Sequence, residues 1–308
     1  MTRYRNLALF LTLATLWGSA FVAISAGLSH IPPVLFAALR YDIAGVLMFG
    51  YAVYAVDHWR PRGQAEWTQV AVGAVLLIAA YHAFLFVGQQ HTTAAAAAIL
   101  VSLSPVLSSG FARLLVPSDA LSPVGVVGVF VGLLGVAVIV QPDPSNLLTT
   151  DAVAKGFVFC ATAAFALGSV LTRRLDASLP IETMEAWSML GGALVMHLVS
   201  LALGEPLEPA AWTAPEAIGA LAYLSLGASA VGFLIYFDLL DRLGAVEINM
   251  VSYVAPVVTA VVGWLYLRET VDTATLAGFG LIAVGFLLVK RRAIRQEFGH
   301  VRSRSSSD

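Results

Sequence analysis

Runs of mostly apolar residues, separated by short polar connectors, dominate the chain. Ten of them fall at Leu7–Leu28, Val34–Val56, Trp67–Gly88, Ala94–Val116, Pro123–Gln141, Val153–Leu171, Met184–Leu203, Pro215–Leu240, Ala245–Leu267 and Thr275–Val289. Each has or approaches the roughly 20 apolar residues that a helix needs to cross a bilayer. The connectors carry turn chemistry, as in His30-Ile-Pro-Pro33, Gln141-Pro-Asp-Pro144 and Gly204-Glu-Pro206. The first run exceeds the roughly 7–15 apolar residues of a signal peptide, so it reads as a retained span. Residues 293–308 are basic, then serine-rich, and predict a cytoplasmic tail without fixed structure.

The pattern also repeats. At a shift of 150 residues, Gly18-Ser19 is answered by Gly168-Ser169, Ala95 by Ala245, Asp119 by Glu269, Gly128 by Gly278 and Gly135 by Gly285. Pro105 and Pro256 sit one residue out of step. A fixed shift over so much of the chain marks a duplication. The halves are residues 1–150 and 151–292, with five spans each, and an odd number of spans inserts the second copy upside down. The predicted fold class is therefore an all-α membrane protein of ten transmembrane helices arranged as two inverted five-helix repeats.

Composition agrees with a bilayer. Of 308 residues, 59% are hydrophobic and 12% charged, too little charge to cover a water-soluble globule of this size. A net charge of −2 gives no reason to expect a nucleic acid partner. The single cysteine, Cys160, excludes an internal disulfide and a Cys-based zinc site. Neither a GxxxxGK[ST] nor an HExxH pattern occurs, so no ATP-driven pump and no common zinc centre is expected, and no cofactor or metal is called for. Placing the N-terminus inside puts fourteen of the seventeen basic residues on the cytoplasmic side, while Asp143, Asp151, Glu205 and Glu208 fall outside. The expectation is a multi-pass cell-membrane protein with both termini cytoplasmic.

Several side chains are candidates for function. Asn249, Ser252, Pro256, Thr259 and Gly263 share one face of the ninth helix, and Ser102, Pro105 and Ser109 make a shorter version in the fourth. Such faces either line a path or let helices approach closely, and paired prolines in the two halves favour a path. The glycines Gly125, Gly128, Gly132 and Gly135, with Gly278 and Gly285, read as close-packing faces. Trp17, Ser19 and Phe21, with Tyr81, His82 and Phe84, and with Tyr236 and Tyr253, would suit an amphipathic cavity lining. Trp59, Trp67 and Trp212 lie near span ends and read as interface residues. His82 either relays a proton, binds a carboxylate or bonds between helices as a neutral ring. Arg40 either fixes helices or meets solute. Asp238 and Glu247 read as solvated, and Asp119 and Glu269 as capping or loop-fixing acids.

Trp17-Gly-Ser19, Leu39-Arg40-Tyr41, Pro105, Val254-Ala-Pro256, Leu267-Arg-Glu269, Gly278 and Gly285 together resemble the EamA family of the drug/metabolite transporter superfamily, over the chain to about Arg292. The resemblance implies a secondary transporter with a central cavity between the repeats. Carried over by position, it implies Trp17, Ser19, Tyr81, His82, Ser102, Ser169 and Tyr253 as solute contacts. Tyr81-His82 looks like the aromatic–histidine pair of amino-acid exporters in that family. Pro117-Ser-Asp119 departs from the family's glycine–glutamate. Pro105 and Pro256 are taken as helix breaks that serve gating.

The expected function is export of small organic metabolites such as amino acids by alternating access, with no catalytic residues. The partners are a small-molecule solute and the lipid bilayer, and a homodimer is compatible with this. The alternative is an integral-membrane enzyme acting on lipid or prenyl substrates, which would need carboxylates converging near Asp238 and Asp241.

Overall fold

A computed structural model of the chain describes residues 2–304 except 116–121, 142–148, 176, 207–212 and 245–247, and describes side chains between Tyr4 and Arg291. Pro117, Asp119, Asp143, Glu208, Trp212 and Glu247 lie outside these residues. The helices are α1 (Thr2–Leu28), α2 (Pro33–Ala55), α3 (Gly63–Gln89), α4 (Ala94–Leu115), α5 (Pro123–Val140), α6 (Thr150–Leu175), α7 (Ile181–Leu203), α8 (Pro215–Leu243), α9 (Val251–Leu267) and α10 (Thr273–Arg304). Among the described residues, nine helices are long and apolar enough to cross a membrane, and α9 is the shorter tenth. The helix ends run past the apolar stretches because polar residues such as Gln64 and Arg242 continue a helix without difficulty. The tail is corrected on the same ground: α10 continues helical to Arg304, through Arg295, Gln296 and Glu297, which are good helix formers.

Contacts across the helix ends define two faces. Arg5 pairs with Asp238 at 3.6 Å, Gln69 donates to the Thr172 carbonyl, and Trp187 donates to the Trp59 carbonyl, all on the face that carries the termini. On the opposite face the Glu205 carboxylate accepts the Val34 and Leu35 N–H groups, and Glu269 accepts the Ala94 N–H. Two helix N-termini thus have their orphan donors satisfied by acids from the other repeat. Glu269 is a capping acid, as its position in the repeat predicts.

The repeats are inverted: α1 starts at the terminal face, and its counterpart α6 starts at the opposite one. Packing follows the two-fold relation. Helices α2 and α7 pack on each other, as do α5 and α10, while α1 packs on α9 as α6 packs on α4. The α5–α10 seam is the tightest. A Cβ on Gly128 would lie 2.6 Å from the Gly285 carbonyl oxygen, and one on Gly135 would lie 2.7 Å from that of Gly278. Only glycine permits this approach, so the glycine face has the close-packing role its spacing predicts.

The symmetry extends to irregular backbone. Helix α3 contains a π-helical stretch, Gly73–Ala80, and α8 contains another, Tyr223–Val231, beginning 150 residues later. Helix α4 breaks at Ser102 and Leu103, just before Pro105, where the missing N–H would otherwise leave a carbonyl unmet. Pro256 corrects part of the paired-break expectation: it lies inside α9, which runs unbroken through it. Its N–H vacancy falls opposite Ser252, one turn earlier, and a membrane helix tolerates such a lost bond.

Candidate functional site

The α6–α4 seam holds a cavity of about 270 Å³ at the terminal face, lined also by Asn249 before α9 and by Lys290 of α10. Its wall on α4 is Ser104, Pro105, Ser108, Ser109 and Ala112, and on α6 it is Phe165, Ser169, Val170 and Arg173. The symmetry-related α1–α9 seam is shut. The Thr259 hydroxyl donates to the Gly18 carbonyl at 2.7 Å, and a Cβ on Gly18 would lie 2.6 Å from the Ala255 carbonyl oxygen. Thr259 and Ser108 are counterparts in the repeat, as are Gly18 and Gly168. One member of each pair is therefore locked, and the other faces open space or another helix.

At the opposite face, buried Lys155 joins helix ends. Its ammonium donates to the Asp151 carboxylate at 2.7 Å and to the Ile139 carbonyl, near the end of α5, at 3.0 Å. A second cavity of about 310 Å³ lies beside this lysine, lined in part by Thr92, Thr93 and Asp272. Asp272 caps α10 by accepting the Thr275 N–H at 2.8 Å, and that bond holds its carboxyl below the usual range.

Of the sequence candidates, Pro105, Ser109, Ser169 and Asn249 line the terminal-face cavity. Tyr81 reaches its wall indirectly, with its ring 5.2 Å from that of Phe165. His82 is buried behind Tyr81 and has both nitrogens engaged, Nδ1 with the Ile78 carbonyl and Nε2 with the Tyr41 hydroxyl, each at 2.8 Å. A carbonyl only accepts, so Nδ1 carries the hydrogen, and in the neutral ring Nε2 accepts from Tyr41. Ser102 is buried at the α4 break and donates to the Ile99 carbonyl at 2.6 Å.

Trp17, Ser19 and Tyr253 stand elsewhere. Trp17 packs on Phe233 and Tyr236, and its indole N–H donates to the Ala228 carbonyl at 3.1 Å. Ala228 is the repeat counterpart of Ile78, so the same carbonyl in each π stretch is met by a side-chain N–H. The counterpart of His82 is Gly232, where a Cβ would sit 2.8 Å from the Trp17 indole nitrogen. The Ser19 hydroxyl meets Tyr223 at 2.7 Å and also bonds the Thr15 carbonyl. Tyr253 stacks on Phe286, and its buried hydroxyl has no hydrogen-bond partner among the described residues.

Arg40 takes the helix-fixing geometry. Its Nε donates to Ser229 at 3.1 Å, its carbonyl accepts from Ser225, and its guanidinium lies 5.2 Å from the Tyr41 ring. Asp238 is neutralised by Arg5 and Arg242. Among the described residues no three His, Cys, Asp or Glu side chains gather where they could hold a metal ion. Sequence reasoning did not single out Ser104, Ser108, Phe165, Arg173 or Lys290 as lining. Phe165, Ser169 and Arg173 recur every fourth residue, but that stripe was hidden in an otherwise ordinary apolar helix.

A multi-pass, all-helical membrane protein with inverted five-helix halves and a seam cavity is the class these features define. The model of the EamA-like transporter family matches residues 5–141 and again 154–291, and the chain belongs to that family. It is 25% identical over 297 residues to the transporter YvbV of Bacillus subtilis (strain 168), covering 96% of this chain and 95% of that one. It is 26% identical over 296 residues to the inner membrane transporter YedA of Escherichia coli (strain K12), covering 93% and 92%. A WAT1-related chloroplastic protein of Arabidopsis thaliana is 24% identical over 278 residues, and the chain spans 66% of its length. One solved crystal structure matches with a TM-score of 0.65 at 24% identity, covering 96% of this chain and 99% of its own, a likeness that bears on the fold.

Proposed function

We propose that this membrane transporter exports small organic metabolites, amino acids among them, by alternating access, with the terminal face in the cytoplasm of a cell-membrane protein. The observation that carries the reading is the inequality of two symmetry-related seams, α1–α9 locked through Thr259 and Gly18 and α4–α6 parted around a cavity. Because the halves share one packing scheme, exchanging the two arrangements would close the cavity and open its counterpart on the other side. Opening that side would also require Lys155 to release its contacts with Asp151 and the end of α5. The excess of basic residues on the terminal side supports the orientation.

Within this reading the repeats run 1–150 and 151–292, and residues 293–308 form the cytoplasmic tail. Ser169 meets solute in the open seam, and Tyr81 and His82 shape its wall. Trp17, Ser19, Ser102 and Tyr253 come into play as the helices rearrange, with the Tyr253 hydroxyl as an unsatisfied donor. Pro105, at the break in α4, and Pro256, inside unbroken α9, serve as the gating positions.

The test is flux of labelled amino acids and small organic acids in proteoliposomes, alongside a disulfide installed across the closed seam between positions 22 and 263, where a Cβ on Gly263 would lie 3.9 Å from Val22 Cγ2. Flux that disappears on oxidation and returns on reduction supports the cycle. Unimpeded flux with the seam cross-linked sinks it.

A further inference from the structure

We infer that two copies of this chain associate in the bilayer through α2 and α7, around a ring made by Asp42 and His197 of each copy. His197 Nε2 lies 2.7 Å from the Asp42 carboxylate, and the two side chains bond no other group among the described residues. Asp42 lies about 13 Å of helical rise inside the start of α2, and His197 about 9 Å before the end of α7. Both of those helix ends stand at the face opposite the termini, beside Glu205. The pair is therefore within the hydrocarbon layer and not at its edge.

The chain does not enclose this pair. The His197 side chain is 33% exposed and that of Asp42 is 44% exposed. Neither residue lines the terminal-face cavity or the one beside Lys155. Val46, one turn along α2 from Asp42, is an exposed apolar side chain, as are Leu194 and Leu201, one turn to either side of His197. That surface faces lipid, which offers neither donor nor acceptor to Asp42 Oδ1 and His197 Nδ1. The seam between α2 and α7 is packed without them, by Gly45 against Leu190 and Phe49 against Trp187.

A second copy, related by a two-fold axis along the membrane normal, supplies the missing partners. An acid beside an imidazole is self-complementary under that operation: each carboxylate keeps its own imidazole and accepts from the other copy's. With every imidazole protonated on both nitrogens, two negative and two positive charges close a neutral ring. Gly50, on the same exposed side of α2, has nothing within 4 Å of where a Cβ would stand, so a helix of the second copy meets no side chain there. Lipid headgroups lie outside the hydrocarbon layer, so they do not cover the pair at this depth.

The full chain, with Cys160 replaced by serine, is reconstituted in bilayers at high dilution and treated with a short bismaleimide. V46C and L194C should each cross-link to a dimer several-fold faster than F130C, an exposed position on α5. D42L/H197L should weaken the dimer about tenfold in Kd, the scale of a polar contact between membrane helices. Leucine suits lipid, so this variant should keep its helical content by circular dichroism, and D42V/H197F serves in its place if it does not. The dimer is disproved if the natural chain stays monomeric, if V46C and F130C cross-link equally fast, or if a folded apolar variant pairs as tightly as the natural protein. Flux takes no part in these readouts, so failure of the dimer leaves the transport reading untouched.

Discussion

The Thr259 hydroxyl donates to the Gly18 carbonyl over 2.7 Å, with a second bond to the Ala255 carbonyl within its own helix. This fastens α1 to α9 at a place where the other repeat, with Ser108 and Gly168, is not fastened in the same way. Thr259→Val should remove about 1 kcal/mol from the closed seam, a several-fold shift in its population. The measurement is thiol reactivity of a cysteine at position 258, in a background where exposed Cys160 is replaced by serine. Faster labelling is expected, and an unchanged rate would mean the bond does not hold the seam.

Glycine substitutions on α10 should divide by face. Gly285→Ala would press a methyl to within 2.6 Å of the Gly128 carbonyl oxygen and should cost about 1–3 kcal/mol through overpacking. Gly280→Ala meets nothing within 4 Å and should be neutral or stabilise by up to about 1 kcal/mol through helix propensity. Unfolding in detergent, followed by circular dichroism, separates the two.

His82 acts through its neighbours. With both nitrogens engaged, it fixes Tyr41 and the wall formed by Tyr81 and Phe165. His82→Ala and Tyr41→Phe should both slow flux, and their effects in the double variant should overlap by about 1 kcal/mol. Unaltered flux with His82→Ala, at normal folded yield, would assign the ring to packing alone.

Acid should loosen the start of α10. The Thr275 N–H bond lowers the Asp272 pKa from its ordinary 3.8, so its contribution to stability is present above that value and is lost as pH falls through the lower folded value. Asp272→Ala should cost about 1 kcal/mol at neutral pH and flatten this acid limb. Amide exchange at the first turn of α10, compared at pH 6 and pH 3, reads both effects.

Ten spans, their duplication, the upside-down second copy and the glycine faces of α5 and α10 were determined by the order of residues alone. Those properties depend on local quantities: run length against bilayer thickness, parity of crossings, and the absence of a side chain at fixed spacing. Glu269 was legible as a capping or loop-fixing acid, but that it caps α4 of the other repeat was decided by the tertiary structure.

Tertiary structure decided which residues meet. Trp17, His82 and Tyr253 share an amphipathic chemistry, yet the fold places them against Ala228, Tyr41 and Phe286 in three separate settings. Ser108 and Thr259 are near-equivalent in sequence, and one lines space while the other is bonded. Periodicity reports which side of a helix avoids lipid. Two inverted copies offer the same buried side to two seams, and only the mutual placement of the helices determines which seam is closed and which holds the cavity.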